Sequence, residues 1–300
     1  MQSKRIKRRL DGVLLLDKPL GISSNQALQQ AKRLFQAAKA GHTGSLDPLA
    51  TGLLPLCFGE ATKFSHFLLD ADKSYLARIK LGVTTTTGDA EGEILNALPV
   101  SVSREQVEFA IARFIGEISQ VPPMYSALKH QGKPLYAYAR DGVEINREAR
   151  NVIIHAITLK RFEQDELEIA VRCSKGTYIR TLAEDIGSAL GCGGHLIGLR
   201  RFSTGHFTLD DGLTLEQLEA LPMEERDKKL LGADALISNL PEVLLDEEST
   251  YYLQQGQRIW KPGLIPKGQF RMYGPGQLFL GIGEQMQDGK IAPKRLVQTN

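Results

Sequence analysis

The chain has 300 residues, of which 42% are hydrophobic and 24% are charged, and its formal net charge at pH 7 is +2. These values predict a globular protein with an extensive core, organised as one large domain or as a large domain with a small one. No apolar run approaches the roughly 20 residues of a membrane span, and residues 1 to 10 lack the apolar stretch of a signal peptide. We therefore expect a cytoplasmic protein with no membrane-spanning segment.

The cysteines and histidines limit the metal chemistry that the sequence supports. Cys57, Cys173 and Cys192 form no Cys-x-x-Cys pair, which argues against a disulfide framework and against a cysteine-rich zinc site. None of the six histidines has a further ligand at a spacing typical of a metal site. We interpret the cysteines as buried thiols and expect no metal.

Charge is distributed unevenly along the chain. Residues 209 to 248 hold twelve acids against three bases, whereas residues 251 to 300 hold seven bases against two acids. The first ten residues contain no acid and five bases, which form a basic arm: Lys4, Arg5, Lys7, Arg8 and Arg9. Such basic ends suit contact with a phosphate backbone, but the same runs also occur as solvated surface. Charge alone leaves both interpretations open.

In chain order, the apolar run at residues 12 to 17 ends at a Lys-Pro pair, which is typical of a buried strand. Apolar residues at helical spacing then predict a helix capped by Ser24 or Asn25 and running to about Lys39. After an intervening loop, residues 50 to 69 are mostly apolar and are expected in the core. The polar exception is a lysine at position 63, which can extend its ammonium to solvent.

The loop between these segments, Gly-His-Thr-Gly-Ser-Leu-Asp-Pro-Leu-Ala-Thr-Gly at residues 41 to 52, is called the Asp47 loop here. Pro48 biases Asp47 away from the helical region, and the flanking glycines allow tight turns and close approach to a ligand. A lone carboxylate presented on a bent loop is a candidate nucleophile. The alternative is a surface turn in which Asp47 caps a helix that Pro48 opens.

Further elements follow from local patterns. Alternation predicts a half-buried strand that starts at Tyr75, and the capping-box spacing from Ser103 predicts a helix to about Ile115. Residues 151 to 162 and 166 to 174 are predicted to form a hairpin. The remaining predictions are a helix from Tyr178 to Leu190, a strand from His195 to Phe202, an acidic helix after Thr214 and a glycine-rich β module after residue 251.

The stretch from residue 122 to 150 differs from the regular segments around it. It combines prolines, glycines and four aromatic or imidazole rings with five scattered bases. This composition fits a flap that closes on a nucleic acid, and it fits a plain hairpin insertion equally well.

Several motifs resemble those of one known family, the tRNA pseudouridine-55 synthases of the TruB family. The Asp47 loop is similar to the catalytic signature of that family, and other similar motifs occur in the family order over about residues 12 to 205. These motifs are Lys18-Pro19-Leu20-Gly21-Ile22-Ser23-Ser24, Gly59-Glu60-Ala61-Thr62-Lys63, Tyr75, Pro122-Pro123-Met124-Tyr125-Ser126-Ala127-Leu128-Lys129, and Gly176-Thr177-Tyr178-Ile179-Arg180-Thr181-Leu182-Ala183.

The resemblance implies an α+β catalytic domain on a mixed, mainly antiparallel sheet, covering residues 1 to 250 with an RNA-binding insertion at about 122 to 150. Residues 251 to 300 are then a small β-rich module similar to the PUA-like RNA-binding appendage of the family. The implied activity is isomerisation of uridine 55 in the T arm of tRNA by base flipping. It implies no cofactor, no obligatory protein partner and a monomeric protein.

The resemblance also implies roles for individual residues. Asp47 is the expected covalent nucleophile, Arg180 is its expected cationic partner, and Tyr75 is expected to contact the flipped base and move a proton. From the residues alone, Arg180 is only a candidate, because a cation near a helix N-terminus is disfavoured and can also simply be exposed. The remaining expected substrate-binding residues are His42, Lys63, Tyr178 and Leu199.

Two other functions are compatible with parts of the sequence. A non-catalytic RNA-binding protein requires the basic segments but not Asp47. An aspartate-dependent N-glycosidase of free nucleosides requires Asp47 but neither basic segment. The combination of Asp47, Tyr75 and Arg180 argues against the first alternative.

Overall fold

A computed structural model describes residues 7–263 and 266–298 of the chain. Lys4 and Arg5 of the basic arm lie outside these residues. The strands are β1 (Gly12–Lys18), β2 (Ala40–His42), β3 (Ala50–Phe58), β4 (Lys73–Leu81), β5 (Val83–Thr85), β6 (Ile94–Ala97), β7 (Gly116–Gln120), β8 (Lys129–His130), β9 (Lys133–Pro134), β10 (Arg150–Glu163), β11 (Glu166–Cys173), β12 (Gly194–Thr204), β13 (Phe207–Thr208), β14 (Glu242–Leu244), β15 (Gln269–Gly274), β16 (Leu278–Gln285) and β17 (Ile291–Leu296). The α-helices are α1 (Ser24–Leu34), α2 (Ser65–Leu69), α3 (Arg104–Ala112), α4 (Leu135–Arg140), α5 (Ile179–Ala189), α6 (Leu215–Ala220), α7 (Met223–Asp227) and α8 (Glu247–Gln254).

The fold is built on one large sheet with the strand order β1-β3-β12-β4-β11-β10-β7, to which β2 and β13 add at β3 and β12. Neighbouring strands run antiparallel except for β3 and β12, which run parallel. The predicted α+β fold on a mixed, mainly antiparallel sheet is therefore confirmed.

The strands at one side of this sheet are buried on both faces. Leu14 and Leu16 of β1 pack into the main core with α1, α3, α5 and α6. Val13 and Leu15 of the same strand pack into a second cluster on the opposite face, with α2 and the 3₁₀ turn at Ala233–Ile237. Burial on both faces explains the continuous apolar run in the sequence of β1.

The parallel pairing of β3 with β12 requires close backbone approach. Gly52 lies opposite Arg201 in this pair and has φ +99°, in the region that favours glycine. A Cβ atom at position 52 would lie 2.2 Å from the Arg201 carbonyl oxygen. The last glycine of the Asp47 loop is therefore needed where this loop enters the sheet.

Helix α1 differs from the sequence prediction at both ends. Ser23 caps the helix, so the predicted caps Ser24 and Asn25 were wrong. The predicted end near Lys39 was also wrong, because Gln36 adopts φ 51° and leaves the helical conformation. Local periodicity continued beyond the residue at which the backbone turns.

Most other predicted elements are confirmed within a few residues. The capping boxes open α3 and α6, the predicted hairpin is β10 and β11, and the helix beyond it is α5. Tyr75 lies inside β4, however, because Lys73 and Ser74 already pair with β11. The three cysteines are buried free thiols, as interpreted from the sequence.

The segment at residues 121–149 is an excursion between two neighbouring strands. Arg150 at the start of β10 pairs with Gln120 at the end of β7, so the segment leaves and re-enters the sheet at one place. Within it lie the short β8–β9 hairpin and α4. The segment, called the insertion below, is therefore a hairpin and a short helix attached at a narrow base.

The C-terminal residues form a second sheet with the order β14-β15-β16-β17. This β-rich module was predicted, but its first strand starts at Glu242, ahead of the expected boundary at residue 251. The module packs against the large domain, since Phe279 and Ile282 join the cluster that contains Phe64. The rings of Phe64 and Phe279 have centroids 5.6 Å apart. The module therefore shares an apolar interface with the large domain.

One base of the N-terminal arm contacts the acid-rich residues 209 to 248, called the acidic segment here. The Arg8 guanidinium binds Asp227 at the end of α7, and Arg8 also forms a β-bridge with Ala37. This part of the arm lies against the large domain.

Among residues 7–263 and 266–298, no helix is long and apolar enough to cross a membrane.

Candidate active site

The Asp47 loop is anchored to the start of α1. The Ser24 hydroxyl donates to the Leu46 carbonyl at 2.9 Å and accepts from the Leu46 amide at 2.7 Å. The Gly21 amide donates to the Pro48 carbonyl at 2.9 Å. After Pro48 the chain makes one turn and enters β3, so the alternative in which Pro48 opens a helix is wrong. Asp47 is thus presented on a loop that is fixed on both sides.

Arg180, in the first turn of α5, contacts Asp47. Its side chain is only 6% exposed, and its Nη2 lies 3.1 Å from Asp47 Oδ2 and donates to the Tyr125 carbonyl at 2.5 Å. Its Nη1 donates to the Thr87 carbonyl at 3.2 Å and lies 3.5 Å from Asp89 Oδ2. The pairing of Arg180 with Asp47 implied by the family resemblance is present, and it explains how a cation is held near a helix N-terminus.

Asp89 was not identified from the sequence. It is 2% exposed, accepts from the Thr87 hydroxyl at 2.5 Å and from the Glu91 amide at 3.1 Å, and contacts Nη1 of Arg180, whereas Asp47 contacts Nη2. The available signal was a run of four threonines followed by Gly-Asp at residues 84–89, which ends a short strand in a turn. Carboxylates in such turns commonly bond their own backbone, so this run alone does not indicate a site.

The electrostatic environment of Asp47 contains opposing effects. Although 47% of its side chain is exposed, burial is the largest cause and raises its pKa. The Arg180 guanidinium lowers the pKa, Asp89 raises it and Lys18 lowers it, and the net direction is upward. Arg180 and Lys18 therefore favour the ionised form of Asp47 against the effect of burial.

Tyr75 lies beside a buried arginine. It is 8% exposed and stands directly opposite Arg201 in the pairing of β4 with β12. The Arg201 Nε donates to the Leu53 carbonyl at 2.7 Å, and its buried Nη2 has no partner among the residues described. Burial raises the pKa of Tyr75, Arg201 lowers it and Asp47 raises it. Arg201, 1% exposed, was also not identified from the sequence.

Tyr178 is the residue that precedes α5. Its backbone amide and carbonyl both bond the side chain of Gln120. The pKa of its phenol is raised by burial, and Asp47 is among the charges that raise it further. The charge of Asp47 therefore raises the pKa of both Tyr75 and Tyr178.

His42 lies at the start of the Asp47 loop, where β2 ends, and Leu199 lies on β12. His42 pairs with Leu56 across β2 and β3, and its buried Nδ1 has no hydrogen-bond partner in the part of the chain that the structure covers. Burial and the nearby Arg201 lower the pKa of His42. Leu199 is partly buried against the main core and pairs with Ala50, at the end of the loop.

Lys63 differs from the other expected substrate-binding residues in the contacts that it makes. Its Nζ forms an ion pair with Glu60 and donates to the Leu296 carbonyl of β17 at 2.9 Å. Glu60 in turn accepts from the Gln298 amide at 2.7 Å. Lys63 therefore contacts Glu60 and the C-terminal module, and among residues 7–263 and 266–298 it makes no hydrogen bond or ion pair with Asp47.

Lys18 is a further polar residue beneath the loop. It is fully buried, and its Nζ donates to the Pro19 and Ile22 carbonyls at 2.8 and 2.6 Å. Burial lowers its pKa to about 8, against the attraction of Asp47 and Glu91.

In the described ranges, no group of three or more His, Cys, Asp or Glu residues could hold a metal ion.

The site thus contains the carboxylate of Asp47 on a fixed loop and the buried Arg180, which favours the ionised form of that carboxylate. Two tyrosines accompany them, one in β4 and one at the start of α5. Such an arrangement can support covalent catalysis by a carboxylate, with an aromatic hydroxyl available for proton transfer.

Comparison with known proteins identifies the family. Residues 32–179 match the TruB family pseudouridylate synthase N-terminal domain, and residues 180–250 and 241–297 match two C-terminal domains of TruB proteins. The chain is 64% identical to tRNA pseudouridine synthase B of Methylobacillus flagellatus over 298 residues, with 99% of each chain covered. The chain belongs to the TruB family of pseudouridylate synthases.

Other comparisons agree with this membership. The enzyme is 56% identical to tRNA pseudouridine synthase B of Chromobacterium violaceum over 293 residues, covering 97% of this chain and 96% of the relative. A crystal structure of a Cbf5-Nop10-Gar1 complex aligns with a TM-score of 0.72 at 25% identity, covering 96% of this chain and 84% of the other. An H/ACA RNP bound to a substrate RNA aligns with a TM-score of 0.71 at 23% identity, covering 96% and 85%, and shows the same fold. As a TruB family pseudouridylate synthase, the protein is an isomerase.

Proposed function

We propose that this enzyme isomerises uridine to pseudouridine at position 55 in the T arm of tRNA, with Asp47 as a covalent nucleophile. The observation that carries the proposal is the 3.1 Å contact between Arg180 Nη2 and Asp47 Oδ2. The names of the relatives, tRNA pseudouridine synthase B, support tRNA as the substrate. The position within tRNA and the nucleophile rest on the motifs of the Asp47 loop.

The chemistry follows from the arrangement of the side chains. Isomerisation breaks the glycosidic bond and forms a carbon–carbon bond without net oxidation or hydrolysis, so it requires no cofactor. Asp47 attacks as the carboxylate, which Arg180 stabilises against the effect of burial. Tyr75 and Tyr178 hold the flipped base, because a stacked base cannot reach the loop. Tyr75 accepts or relays the proton that leaves the ring carbon after the new bond forms.

The remaining expected residues complete the pocket. His42, in the Asp47 loop, fills the space left by the flipped base, and Leu199, which pairs with Ala50 of the loop, contacts the base. Lys63, near the module interface, is proposed to contact RNA when the substrate spans both parts of the protein. The substrate is recognised mostly through the shape of its folded stem-loop. Because Asp47, Tyr75 and Arg180 come from one chain, we propose that the enzyme acts as a monomer without an obligatory protein partner.

The test is direct mapping of pseudouridine in defined RNAs. Purified protein is incubated with a full tRNA transcript and with a T-arm stem-loop, and pseudouridine is located by chemical modification and primer extension. We expect one modified uridine, at position 55, in both RNAs. The matched control is a transcript with cytidine at this position, which should receive no pseudouridine. Modification at another uridine, or none in the wild-type RNA, contradicts the proposal.

A further inference from the structure

Gln120 makes an unusual contact with the start of α5. It is the last residue of β7 and is 2% exposed. Its Oε1 accepts from the Tyr178 amide at 3.0 Å, and its Nε2 donates to the Tyr178 carbonyl at 3.3 Å. One side-chain amide thus satisfies both backbone groups of one residue, as a neighbouring strand does in a sheet.

The N-terminus of helix α5 has no side-chain cap of its own. The residue at the cap position is Tyr178, which makes no side-chain capping bond. Helix N-termini normally bind a side-chain oxygen of Ser, Thr, Asp or Asn at this place. Here the cap residue itself is bonded at its backbone amide and carbonyl by Gln120, which comes from β7. Arg180 follows two residues later.

We propose that Gln120 is a positioning residue that holds the first turn of α5, and with it Arg180, against Asp47. Its side chain is buried and bonds the Tyr178 backbone, so the proposed role is to position other groups. Arg180 reaches Asp47 through a single nitrogen, Nη2, at 3.1 Å, and the same nitrogen donates to the Tyr125 carbonyl in the insertion. Displacement of the helix start is therefore expected to lengthen the contact between Arg180 and Asp47. The proposal rests on the proposed function for its kinetic consequence only.

The location of Gln120 extends this role to the insertion. Gln120 is the residue at which the chain leaves the sheet for the insertion, and Tyr125 lies a few residues further on. Both ends of this short stretch bind α5, at the Tyr178 backbone and at Arg180. The base of the insertion is thereby bonded to Arg180, the cation that contacts Asp47.

The expected consequence is a change in the ionisation of Asp47. A rise of one unit in its pKa lowers the ionised fraction about tenfold at pH values below the pKa. The charged or titratable groups that face Asp47 come from several elements, and all are retained when Gln120 is replaced. They are Arg180 of α5, Lys18 of β1, Tyr75 of β4, Asp89 and Glu91 of the following loop, and Tyr178.

The experiment compares Gln120→Met, which has similar length and no amide, with the wild-type enzyme. The Asp47 carboxyl is titrated by ¹³C NMR, its resonance being assigned by its loss in Asp47→Asn. Single-turnover rates are measured across pH at saturating RNA. We expect the Asp47 pKa to rise, and the rate to fall roughly tenfold or more on the acid side with partial recovery as pH increases. Gln120→Asn, which keeps the amide on a shorter chain, should give a smaller shift.

The matched control is Gln106→Met, because the Gln106 side chain also accepts a backbone amide, that of Ser103, but at the start of α3. It should lower stability without moving the Asp47 titration. A folded Gln120→Met enzyme with an unshifted Asp47 pKa overturns the proposal, as does failure of both Gln120 variants to fold, which would indicate a purely structural role. The titration needs no turnover, so it decides the role of Gln120 even if the wild-type enzyme makes no pseudouridine.

Discussion

Arg180 and Asp89 form a buried ion pair, in which the Arg180 Nη1 lies 3.5 Å from Asp89 Oδ2 and both side chains are almost completely excluded from solvent. Asp47 contacts the other terminal nitrogen of the same guanidinium, Nη2, and remains half exposed. Arg180 is therefore shared by a structural carboxylate and by the carboxylate proposed to react.

The first prediction is that Asp47→Asn abolishes product formation while RNA binding persists. The amide keeps the shape of the side chain but is not a nucleophile, and loss of a covalent nucleophile lowers turnover by on the order of 10⁴-fold or more. Pseudouridine formation and RNA affinity are measured in parallel. Asp70→Asn, which alters a surface carboxylate paired with Lys175, is the matched control and should retain activity. Turnover near the wild-type rate in Asp47→Asn contradicts the assignment.

The second prediction compares Arg180→Met with Arg180→Lys. Methionine leaves Asp89 buried and unpaired, which typically costs about 3 to 5 kcal/mol of stability, whereas lysine retains a cation. Because Arg180 lowers the pKa of Asp47, its loss raises this pKa further. Asp47 is then protonated at higher pH, so the acid limb of the pH–rate profile moves to higher pH. Chemical unfolding and single-turnover kinetics check the two effects, and an unchanged limb in Arg180→Met shows that Arg180 does not control Asp47.

The third prediction uses two glycines of left-handed conformation. Gly21 and Gly52 have φ +84° and +99°, but nothing lies within 4 Å of a Cβ at position 21, whereas one at position 52 meets the Arg201 backbone. Gly21→Ala should cost about 1 to 2 kcal/mol, from the backbone conformation alone. Gly52→Ala should cost about 1 to 3 kcal/mol more, because β3 and β12 must separate. Urea unfolding measures both, and equal losses would show that close approach is unimportant.

The fourth prediction concerns the exposed bases of the C-terminal module. Arg258, Lys267 and Lys290 are exposed, and if they bind phosphates, their replacement by Glu should weaken RNA binding. Removal of each phosphate-binding base should lower the slope of log affinity against log salt by roughly 0.7 to 0.9. The single-turnover rate at saturating RNA should stay near the wild-type value. Lys228→Glu, in the acidic segment, is the control for added negative charge.

Substitution is preferable to deletion of the module for this test. Removing the chain after Glu248 exposes the side chains in the large domain that pack on Phe279 and Ile282. It also removes the Leu296 carbonyl that binds Lys63. A shortened protein would lose stability as well as bases. An unchanged salt slope in the substituted protein rejects the phosphate-binding role.

Local interactions were predictable from the sequence, and long-range ones were not. The capping boxes of α3 and α6 use residues three positions apart, so their patterns indicated the helix starts correctly. The predicted end of α1 was wrong because Gln36 leaves the helical conformation where Ala37 pairs with Arg8 of the N-terminal arm. Periodicity within a helix carries no information about such a pairing.

The same distinction applies to the active site. Asp47 and Arg180 were identified through motifs, and their contact was implied by the family resemblance. Asp89 and Arg201 were missed because their importance follows from burial beside Arg180 and Tyr75, which only the folded chain defines. Lys63 was expected near the substrate, but its contacts with Glu60 and β17 join segments from opposite ends of the chain.

The position of Asp89 has a consequence for the proposed covalent step. When Asp47 forms a bond to the substrate, it becomes an ester-like group and loses its negative charge. Arg180 then has one anionic partner left, Asp89, and the two form a neutral pair inside the protein. Arg180 thus keeps a carboxylate partner when Asp47 passes its charge to the substrate, so the guanidinium is not left as an isolated ion in the interior. Asp89 is therefore expected to hold Arg180 in place while the proposed bond to Asp47 forms and breaks.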